Sequence, residues 1–408
     1  MTTRLLTSTN TSARYLIHRS ADTSSIPMPD NPTILINGLS IGGGGGLTVG
    51  VELTRALAQA RPRWTIRLLL TQNHPLHEEA RDLVWPLNAS LIWADANTRN
   101  RRARDAYETL KLPKRCNDIH ATALLQLNGM LPPIHLDLPV ICHHQDPWPY
   151  RPQAWFSLKH RLIAFLKRRR HRKALYKADR LTFTSQYLLD TLTRHHRLPA
   201  DQIATRCSVL SNGLPDSFYQ LADNQTNTER ADEILTVSNV SPYKQQWRVI
   251  DALAELTRRG NQTTSYRIIG AGSPADLQAL NDRAASHGLT DRVLVEGRAA
   301  AERVTWAYQR AKAFALHSQC ESFGIPAIEA MAHAVPVVVA DCCALPEVTA
   351  DAALHADPDS TTALADALEE ILTVPETAKR LIANGKQRIH AYRWSDSGEK
   401  LAQLIETL

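Results

Sequence analysis

The sequence predicts an α/β protein with two Rossmann-like, doubly wound domains. Three observations support this prediction. The chain has 408 residues, enough for two domains of ordinary size, and its apolar fraction of 43% is typical of globular proteins. Short apolar segments alternate with longer stretches of helical character. This alternation begins at Ile34 and begins again, after a polar stretch, at Ile234.

Charge and cysteine content narrow the class of protein. The net charge of +6 and the isoelectric point near 9.0 are mildly basic and indicate anionic partners without identifying one. The six cysteines lack paired metal-binding spacing, so we interpret them as free thiols in a reducing cytosol. No apolar run approaches the roughly 20 residues that a membrane-spanning helix needs. We therefore expect a cytoplasmic protein that is soluble or peripheral on a membrane.

The first segment, residues 1–31, is rich in Ser, Thr and Arg and has no clear apolar period. It lacks the apolar core of a secretory signal. We interpret it as a disordered leader or as an overextended start, with Met28 as the alternative first residue, and a transit peptide stays open. The predicted N-terminal domain covers residues 32–225.

The N-terminal domain opens with a strand–loop–helix–strand unit. Its strands are predicted at residues 34–38 and 65–70, and its helix at residues 48–60. Further strands are predicted at residues 91–93, 123–127, 139–142 and 181–185, and residues 209–213 end this half of the chain. In such a sheet, ligands bind at the carboxyl ends of the strands.

A glycine run, residues 42–46, follows the first strand. No register of it fits the dinucleotide pattern G-x-G-x-x-G, and no G-K-[S/T] follows, which excludes a P-loop. The amides of Gly44, Gly45 and Gly46 can approach a phosphate or a substrate closely, because glycine has no side chain. A merely flexible glycine loop is the alternative.

Two histidines, His143 and His144, directly follow the strand predicted at residues 139–142. The carboxyl end of a strand is a favourable place for a ligand site. Taken singly, each histidine is better explained as a hydrogen-bonded loop residue.

A strongly basic segment runs from Lys159 to Lys177 and contains no acidic residue. Its cations are Lys159, Arg161, Lys167, Arg168, Arg169, Arg170, Arg172, Lys173 and Lys177. Leucine, isoleucine and phenylalanine run through the same segment, so it predicts a basic helix with an apolar side, which is typical of a membrane-surface element. A solvated charged face is the alternative. Nucleic acid is disfavoured, because aromatic residues do not interleave with the charges.

The C-terminal domain is predicted over residues 226–390, with a polar linker at residues 220–232. Its apolar strand-like segments lie at residues 234–237, 266–272, 292–297, 313–316 and 335–340. The alternation of these segments with helical stretches predicts a second α/β unit.

The segment between the last two strands contains two glutamates, Glu321 and Glu329. Gly324 supplies a tight turn, and Pro326 suits the first turn of a helix. In a helix the two glutamates would lie roughly 12 Å apart along the axis, whereas a retaining hydrolase pair needs roughly 5 Å. They could instead hold two ends of an elongated ligand such as a nucleotide-sugar, with helix N-terminal amides facing its diphosphate. A capping carboxylate and an exposed helical glutamate are the alternative.

Five local patterns occur in order along the chain. They are the glycine run at residues 42–46, Leu-Ser-Asn-Gly-Leu at 210–214, Val-Ser-Asn-Val-Ser-Pro-Tyr-Lys at 237–244, Ile-Gly-Ala-Gly-Ser at 269–273, and the Glu-x7-Glu segment at 321–329 with its continuation at 336–340 and 345–348. Together they resemble the retaining glycosyltransferases of the GT-B fold, specifically glycosyltransferase family 4. The resemblance is strong over residues 234–360 and weaker over residues 32–215. It implies two domains facing across a cleft, with the acceptor on the N-terminal side, the donor nucleotide-sugar on the C-terminal side, and a C-terminal helix at residues 391–408 packing back on the N-terminal domain.

The resemblance also implies roles for single residues. Glu321 matches the glutamate that contacts the transferred sugar, and Glu329 matches the one that binds the ribose hydroxyls. Lys244 matches a lysine that grips the diphosphate, but Asn239 stands where an arginine is usual, so half of the cationic clamp is missing. Another arginine, such as Arg298, could substitute for the missing one. The family histidine corresponds to His143 or His144. Donor contacts are implied at Phe323, Gly324, Ile325, Gly270 and Gly272.

The resulting expectation is an enzyme, a hexosyltransferase that moves a sugar from a nucleoside diphosphate sugar to an acceptor hydroxyl with retention at the anomeric carbon. Lys244, the glycine run and the helix N-terminus place positive potential where the leaving diphosphate develops charge, so no metal or other cofactor is expected. The acceptor is expected to be a glycan, such as a lipid-linked glycan or surface polysaccharide precursor, with the basic helix docked on an anionic membrane at the cytoplasmic face of the inner membrane. No nucleic acid partner is expected. The alternatives are a nucleotide-sugar epimerase or sugar phosphorylase on the same fold, or a non-catalytic nucleotide-binding module.

Overall fold

A computed structural model describes residues 28–42, 44–224 and 230–408. Most of the predicted leader, Gly43 and the middle of the predicted linker lie outside the described residues. Within them the chain forms two separate parallel sheets, of seven and six strands, each covered by helices on both faces. The predicted fold class of two doubly wound α/β domains is therefore confirmed.

The first sheet has the strand order β3-β2-β1-β4-β5-β6-β7, and all its neighbours pair in parallel. Its strands are β1 Thr33–Asn37, β2 Thr65–Thr71, β3 Ala89–Ala94, β4 Ala123–Gln126, β5 Val140–His144, β6 Arg180–Phe183 and β7 Cys207–Val209. The central strands β1, β4 and β5 are apolar over most of their length, because a parallel sheet is buried on both faces.

The helices of this half alternate with the strands. They are α1 Gly44–Ala60, α2 Pro75–Glu78, α3 Arg101–Leu110, α4 Leu112–Asp118, α5 Leu158–Lys177, α6 Gln186–His196, α7 Ala200–Arg206 and α8 Asp216–Asn224. Serine hydroxyls fix where two of them begin: Ser157 accepts from an amide in the first turn of α5, and Ser185 does the same for α6.

The second sheet has the strand order β10-β9-β8-β11-β12-β13, again with parallel neighbours. Its strands are β8 Ala231–Val237, β9 Ser265–Ile269, β10 Val293–Gly297, β11 Ala311–Leu316, β12 Val337–Ala340 and β13 Ala353–Ala356. Its helices, together with the C-terminal one, are α9 Gln246–Arg258, α10 Pro274–Ser286, α11 Ala301–Arg310, α12 Ile325–Ala332, α13 Leu345–Thr349, α14 Thr361–Thr373, α15 Pro375–Arg388 and α16 Trp394–Glu406.

Both sheets reverse their strand order beside the first strand of the domain. The chain proceeds from β1 to β2 and β3 on one side and then crosses to β4 on the other; β8, β9, β10 and β11 repeat this arrangement. A crevice opens outside the carboxyl ends of the strands at such a reversal, and ligands bind there in open α/β sheets. The loops after β8 and β11 are therefore the first places to look for a site.

Two local predictions about the first domain were wrong. The glycine run does not stay a loop up to residue 47: α1 already begins at Gly44, so Gly44, Gly45 and Gly46 form its first turn. Strand β5 does not end before the histidines but includes His143 and His144 as its last two residues. Helix α1 begins earlier, and strand β5 ends later, than the residue propensities suggest.

The last helix returns to the first domain. Helix α16 packs on α1 so closely that a Cβ on Gly398 would lie 2.5 Å from the backbone of Ala56. Trp394, Leu401 and Ile405 join the same buried cluster as the apolar residues of α1. None of the described helices is both long enough and apolar enough to cross a membrane.

Candidate active site

The centre of the candidate site is an ion pair between the loops that follow β8 and β11. Lys244 ends a short 3-10 turn, Pro242–Lys244, and its Nζ lies 2.6 Å from Oε1 of Glu321. Both side chains are largely buried, with exposures of 15% and 12%. Burial lowers the pKa of Lys244, but the neighbouring Glu321 carboxylate and Tyr243 raise it more, so the amine stays charged. Two residues that sequence motifs placed in the site are thus in direct contact.

The N-terminus of α12 follows this pair along the chain. Gly324 has a φ of +103°, a left-handed conformation that favours glycine, and a Cβ there would lie 2.7 Å from the Leu345 side chain. Within the described residues, the amides of Phe323, Gly324 and Ile325 have no hydrogen-bond acceptor. Three free amides at a helix N-terminus favour an anion, because the helix dipole is positive there.

The side chains of Phe323 and Ile325 have a structural role that the motif did not reveal. Phe323 is 2% exposed and meets Tyr392 edge-on at 5.0 Å between ring centroids. Ile325 packs against the buried clusters of both domains. Because these side chains are packed in the protein, Phe323 and Ile325 could contact a donor only through their backbone amides.

Glu329 lies one turn inside α12. The Tyr308 hydroxyl donates to its Oε2 at 3.0 Å, and burial raises the pKa of its carboxyl group. The other oxygen, Oε1, has no hydrogen bond within the described chain. A carboxylate with one satisfied and one open oxygen is suited to accept from a ligand hydroxyl.

The second half of the expected cationic clamp is absent from this arrangement. Asn239 is exposed and its carbonyl accepts from Gln246 Nε2 at 3.0 Å. Arg298 does not fill the place of the missing arginine, because its guanidinium forms an ion pair with Glu79 of the other domain. Of the two predicted cations, Lys244 and Arg298, Lys244 is therefore the one that lies beside Glu321.

The two glycines after β9 have an internal reason to be glycine. A Cβ on Gly270 would lie 1.7 Å from the Ser238 carbonyl oxygen, and one on Gly272 would lie 2.8 Å from the Val240 Cβ. The loop after β9 thus packs directly against the loop after β8, the one that ends at Lys244. Gly270 and Gly272 shape the donor-side loop whether or not they contact a ligand.

The two histidines lie on opposite faces of the first sheet, because successive side chains of a strand alternate. His143 shares a face with Ile141, which belongs to the cluster formed with α1. Its Nδ1 lies 3.0 Å from Thr182 Oγ1, its Nε2 has no partner in the part of the chain described, and burial lowers its pKa to about 4.

His144 instead lies on the face covered by α5 and α6. Its ring stacks on Phe183 at 4.9 Å and meets His171 edge-on at 5.2 Å. A Cβ on Gly129 would lie 2.3 Å from its Nδ1, and burial lowers its pKa well below the usual value. Both His144 ring nitrogens lack a hydrogen-bond partner in the part of the chain described, and the ring is packed in the core on the face away from α1.

Several contacts across the cleft were not singled out from the sequence. Thr184 Oγ1 donates to the Ser322 carbonyl at 3.1 Å, next to Glu321, and Arg151 Nε donates to the Gln319 carbonyl at 3.0 Å. Thr184 follows β6, and Arg151 follows β5. No local sequence pattern predicts these two contacts, because the partners lie 138 and 168 residues away.

Glu347 makes the most regular of these contacts. Its two carboxylate oxygens accept from the amides of Gln186 and Tyr187 at 2.8 and 2.7 Å, in the first turn of α6. A carboxylate at a helix N-terminus satisfies free amides and complements the helix dipole. The second domain thereby caps a helix of the first.

Two glycines of the run at residues 42–46 face open space, one just before α1 and one in its first turn. A Cβ on Gly42 or Gly45 would meet no atom within 4 Å, so internal packing does not require glycine at these positions. The first-turn amides of a helix have no partner within it. No group of three or more His, Cys, Asp or Glu side chains is placed to hold a metal ion in the described residues.

Comparison with known proteins agrees with this geometry. Residues 220–388 match the family model of glycosyl transferases group 1. The chain is 28% identical over 253 residues to an alpha-D-kanosaminyltransferase of Streptomyces kanamyceticus, covering 58% of this chain and 62% of that protein. It is 31% identical over 173 residues to a D-inositol 3-phosphate glycosyltransferase of Nocardia farcinica, covering 41% and 38%. The matched part spans between about a third and two-thirds of the length of these curated relatives.

Solved structures extend the likeness to the whole fold. Sucrose-phosphate synthase from Thermosynechococcus elongatus superposes with a TM-score of 0.71 at 18% identity, covering 92% of this chain and 98% of that one. The Anabaena protein HepE, solved in complex with UDP and glucose, gives 0.70 at 16% identity, covering 93% and 100%. The chain therefore has the GT-B fold of two facing Rossmann-like domains, and residues 220–388 match the model of glycosyl transferases group 1.

Proposed function

We propose that the protein is a retaining glycosyltransferase of family 4, which transfers a sugar from a nucleoside diphosphate sugar to an acceptor hydroxyl. The observation that supports this most strongly is the buried Lys244–Glu321 pair beside the free amides at the N-terminus of α12. A cation and amides suit a departing diphosphate, and a carboxylate suits the hydroxyls of a sugar. The names of the relatives, and the UDP and glucose bound to HepE, point to the same class of reaction.

Donor binding would rearrange the central pair. The diphosphate offers Lys244 a stronger anionic partner than Glu321, so the amine turns to the phosphate oxygens. Glu321 then loses its cation and accepts from hydroxyls of the transferred sugar. The free amides of Phe323, Gly324 and Ile325 contribute the remaining stabilisation of the leaving diphosphate.

Two further groups complete the proposed site. Glu329 receives the ribose hydroxyls on its open Oε1, while Tyr308 holds the other oxygen. His143 is neutral at neutral pH, and its unpartnered Nε2 accepts from, or donates to, the sugar once the cleft admits it. The N-terminal glycines of α1 lie on the same face of the first sheet and form the acceptor-side wall.

We assign neutralisation of the diphosphate to Lys244 and the amides rather than to a metal ion. Transfer is then expected to be insensitive to EDTA. Loss of transfer in EDTA that returns with Mg²⁺ or Mn²⁺ would contradict this assignment.

A ligand screen tests the proposed function. UDP-, GDP- and ADP-sugars are each added to the purified protein and its thermal unfolding is recorded; one nucleotide class should stabilise it strongly. The stabilising donor is then incubated with candidate acceptors, and the anomeric configuration of the product is read by NMR. An inverted product contradicts retention, and no stabilisation by any nucleotide-sugar contradicts donor binding.

The same assay separates the alternatives. An epimerase changes the sugar without an acceptor, and a phosphorylase needs inorganic phosphate. A non-catalytic module is stabilised by nucleotide but turns nothing over. Lys244→Ala serves as the matched control, because it removes the proposed phosphate contact.

We also propose that α5 docks on an anionic lipid surface at the cytoplasmic face of a membrane. The exposed side chains Leu158, Leu162, Phe165 and Leu166 recur at the spacing of one helical face, with exposures of 80%, 59%, 49% and 40%. The opposite face, with Ala164, His171, Ala174 and Leu175, is buried in the protein.

Charge complementarity favours lipid as the occupant of this face. Exposed cations such as Lys159, Arg161 and Arg169 lie along the apolar row, and α5 contains no acidic residue. A cavity of about 550 Å³ opens beside the helix and is large enough for an anionic head group. Its lining includes Arg101, Arg170 and Lys173, and also Asp105, which pairs with both arginines. A lipid-linked glycan acceptor would thus be presented at the first domain.

Sedimentation with liposomes tests the docking. The protein should co-sediment with phosphatidylglycerol vesicles and much less with phosphatidylcholine vesicles, and the binding should weaken at high salt. Leu162→Glu with Phe165→Glu should abolish it, whereas Leu87→Glu, at another exposed leucine far from α5 in sequence, should not. Equal binding to both vesicle types would overturn the proposal.

A further inference from the structure

Two consecutive cysteines follow strand β12 at the cleft edge of the second sheet. Cys342 and Cys343 are both partly exposed, whereas Cys116, Cys142 and Cys320 are buried. Cys343 has a φ of +60°, a left-handed conformation that turns the chain sharply between the two thiols and α13. The two thiols are adjacent in the chain, and each affects the other: the pKa of Cys342 is raised and that of Cys343 is lowered.

Both sulfurs contact the loop that carries Glu321. The Cys342 Sγ donates to the Ser318 carbonyl at 3.4 Å, and the Cys343 Sγ donates to the Gln319 carbonyl at 3.1 Å. The same Gln319 carbonyl accepts from Arg151 of the first domain at 3.0 Å. The two thiols therefore support the segment just before Glu321, at the place where the domains meet.

We propose that Cys342 and Cys343 form a redox modification site that reacts with small-molecule disulfides. The Cys343 thiolate attacks one sulfur of the disulfide and releases the other as a thiolate, leaving a mixed disulfide. Cys342 then gives up its proton and attacks the Cys343 sulfur, releasing the second small thiol. In sum, the two protein thiols are oxidised to a disulfide between neighbours, and one small disulfide is reduced to two thiols.

The surroundings of Cys343 suit the attacking role. The hydrogen bond from Cys342 and the nearby Arg151 guanidinium lower its pKa, against the opposing effect of burial. The thiol form donates to the Gln319 carbonyl, and the thiolate form is favoured by the nearby Arg151 guanidinium.

Oxidation would disturb the candidate active site. A disulfide has no S–H group, so the hydrogen bonds to Ser318 and Gln319 are both lost, and the sulfurs draw together to about 2.05 Å. The segment before Glu321 then loses two of its supports. The effect on sugar transfer rests on the proposed function, but the thiol chemistry itself does not.

Intact-mass measurement tests the thiol chemistry without any assay of transfer. The full chain is incubated at neutral pH with oxidised glutathione, and peptide mapping assigns the product. We expect the mass to fall by two hydrogen atoms, mapped to the peptide that contains Cys342 and Cys343, and to return with dithiothreitol. The variants Cys342→Ser and Cys343→Ser should not show this loss, and the control Cys207→Ser, at another partly exposed cysteine, should show it. No loss of mass in the wild type, or a disulfide mapped elsewhere, would overturn the proposal.

Nucleotide binding and transfer then give the functional consequence. In the oxidised protein we expect transfer to fall about tenfold or more and to recover with dithiothreitol, because misplacement of a catalytic group by about 1 Å can cost up to a hundredfold. The transfer rate of the Cys343→Ser variant should be the same with and without oxidised glutathione. A disulfide that forms as mapped while transfer stays unchanged would refute the coupling to Glu321 but not the modification site. If no donor or acceptor supports transfer at all, the mass result still stands by itself.

Discussion

Substitutions at Lys244 can distinguish its contribution to stability from its contribution to catalysis. The Lys244–Glu321 pair is short, at 2.6 Å, and largely buried. Truncating one partner of such a pair leaves an uncompensated charge and costs about 3–5 kcal/mol, whereas replacing both by uncharged groups of similar size is often nearly neutral. We therefore expect Lys244→Ala to lower the free energy of unfolding by about 3 kcal/mol. We expect the double variant Lys244→Met with Glu321→Gln to stay within about 1 kcal/mol of the wild type.

Transfer activity should respond differently. Loss of one group that stabilises a developing anion costs about 10²–10³ in kcat, so both variants should be at least a hundredfold slower than the wild type. Urea unfolding followed by tryptophan fluorescence measures stability, and product formation under donor saturation measures kcat. A double variant as unstable as Lys244→Ala would refute the ion-pair argument. Wild-type turnover in Lys244→Ala would refute the role of the amine in catalysis.

Three further predictions concern Glu329, Glu347 and the buried histidines. Glu329→Gln should weaken nucleotide binding about tenfold to a hundredfold, because hydrogen bonds to a charged group are worth about 1.5–3 kcal/mol. Calorimetry with the free nucleotide measures this change. An unchanged Kd would contradict ribose binding by Glu329. Glu347→Ala should lower the free energy of unfolding by about 1 kcal/mol, since two amides of α6 lose their acceptor, and Glu347→Gln should recover part of the loss in the same urea titration. Burial lowers the pKa of five histidines to about 4: His77, His143, His171, His196 and His317. Because the unfolded chain binds these protons near pH 6.5 and the folded chain does not, stability should be full above pH 6.5 and fall as the pH drops towards 4; a flat profile of unfolding free energy over that range would contradict their burial as neutral groups.

Most strands of both sheets could be predicted from the sequence, because a strand buried on both faces is largely apolar. Strand β13 was not predicted; its two middle residues are not fully buried. The start of α1 could not, since glycine is a poor helix former. In the structure Gly44, Gly45 and Gly46 nevertheless begin the helix, in a first turn whose amides need no partner within it. The end of β5 was missed for a related reason: His143 and His144 look like loop residues but are enclosed as the last residues of a buried strand.

By itself, the sequence determined the two-domain α/β organisation and the chemical groups of the candidate site in the second domain. Lys244, Gly324, Glu321 and Glu329 sit in short patterns that are legible because each pattern spans only a few neighbouring residues. Only the tertiary structure decided which of these groups meet. Strand order brings Lys244 to Glu321 across 77 residues.

The tertiary structure also decided the surroundings of the two adjacent histidines and the two adjacent cysteines. Alternation along β5 sends His143 and His144 to opposite faces of the sheet, and the turn at Cys343 brings two thiols against the segment before Glu321. Local periodicity indicates that a strand exists, but not which strands become its neighbours. Contacts between distant loops therefore depend on the packing of the whole sheet.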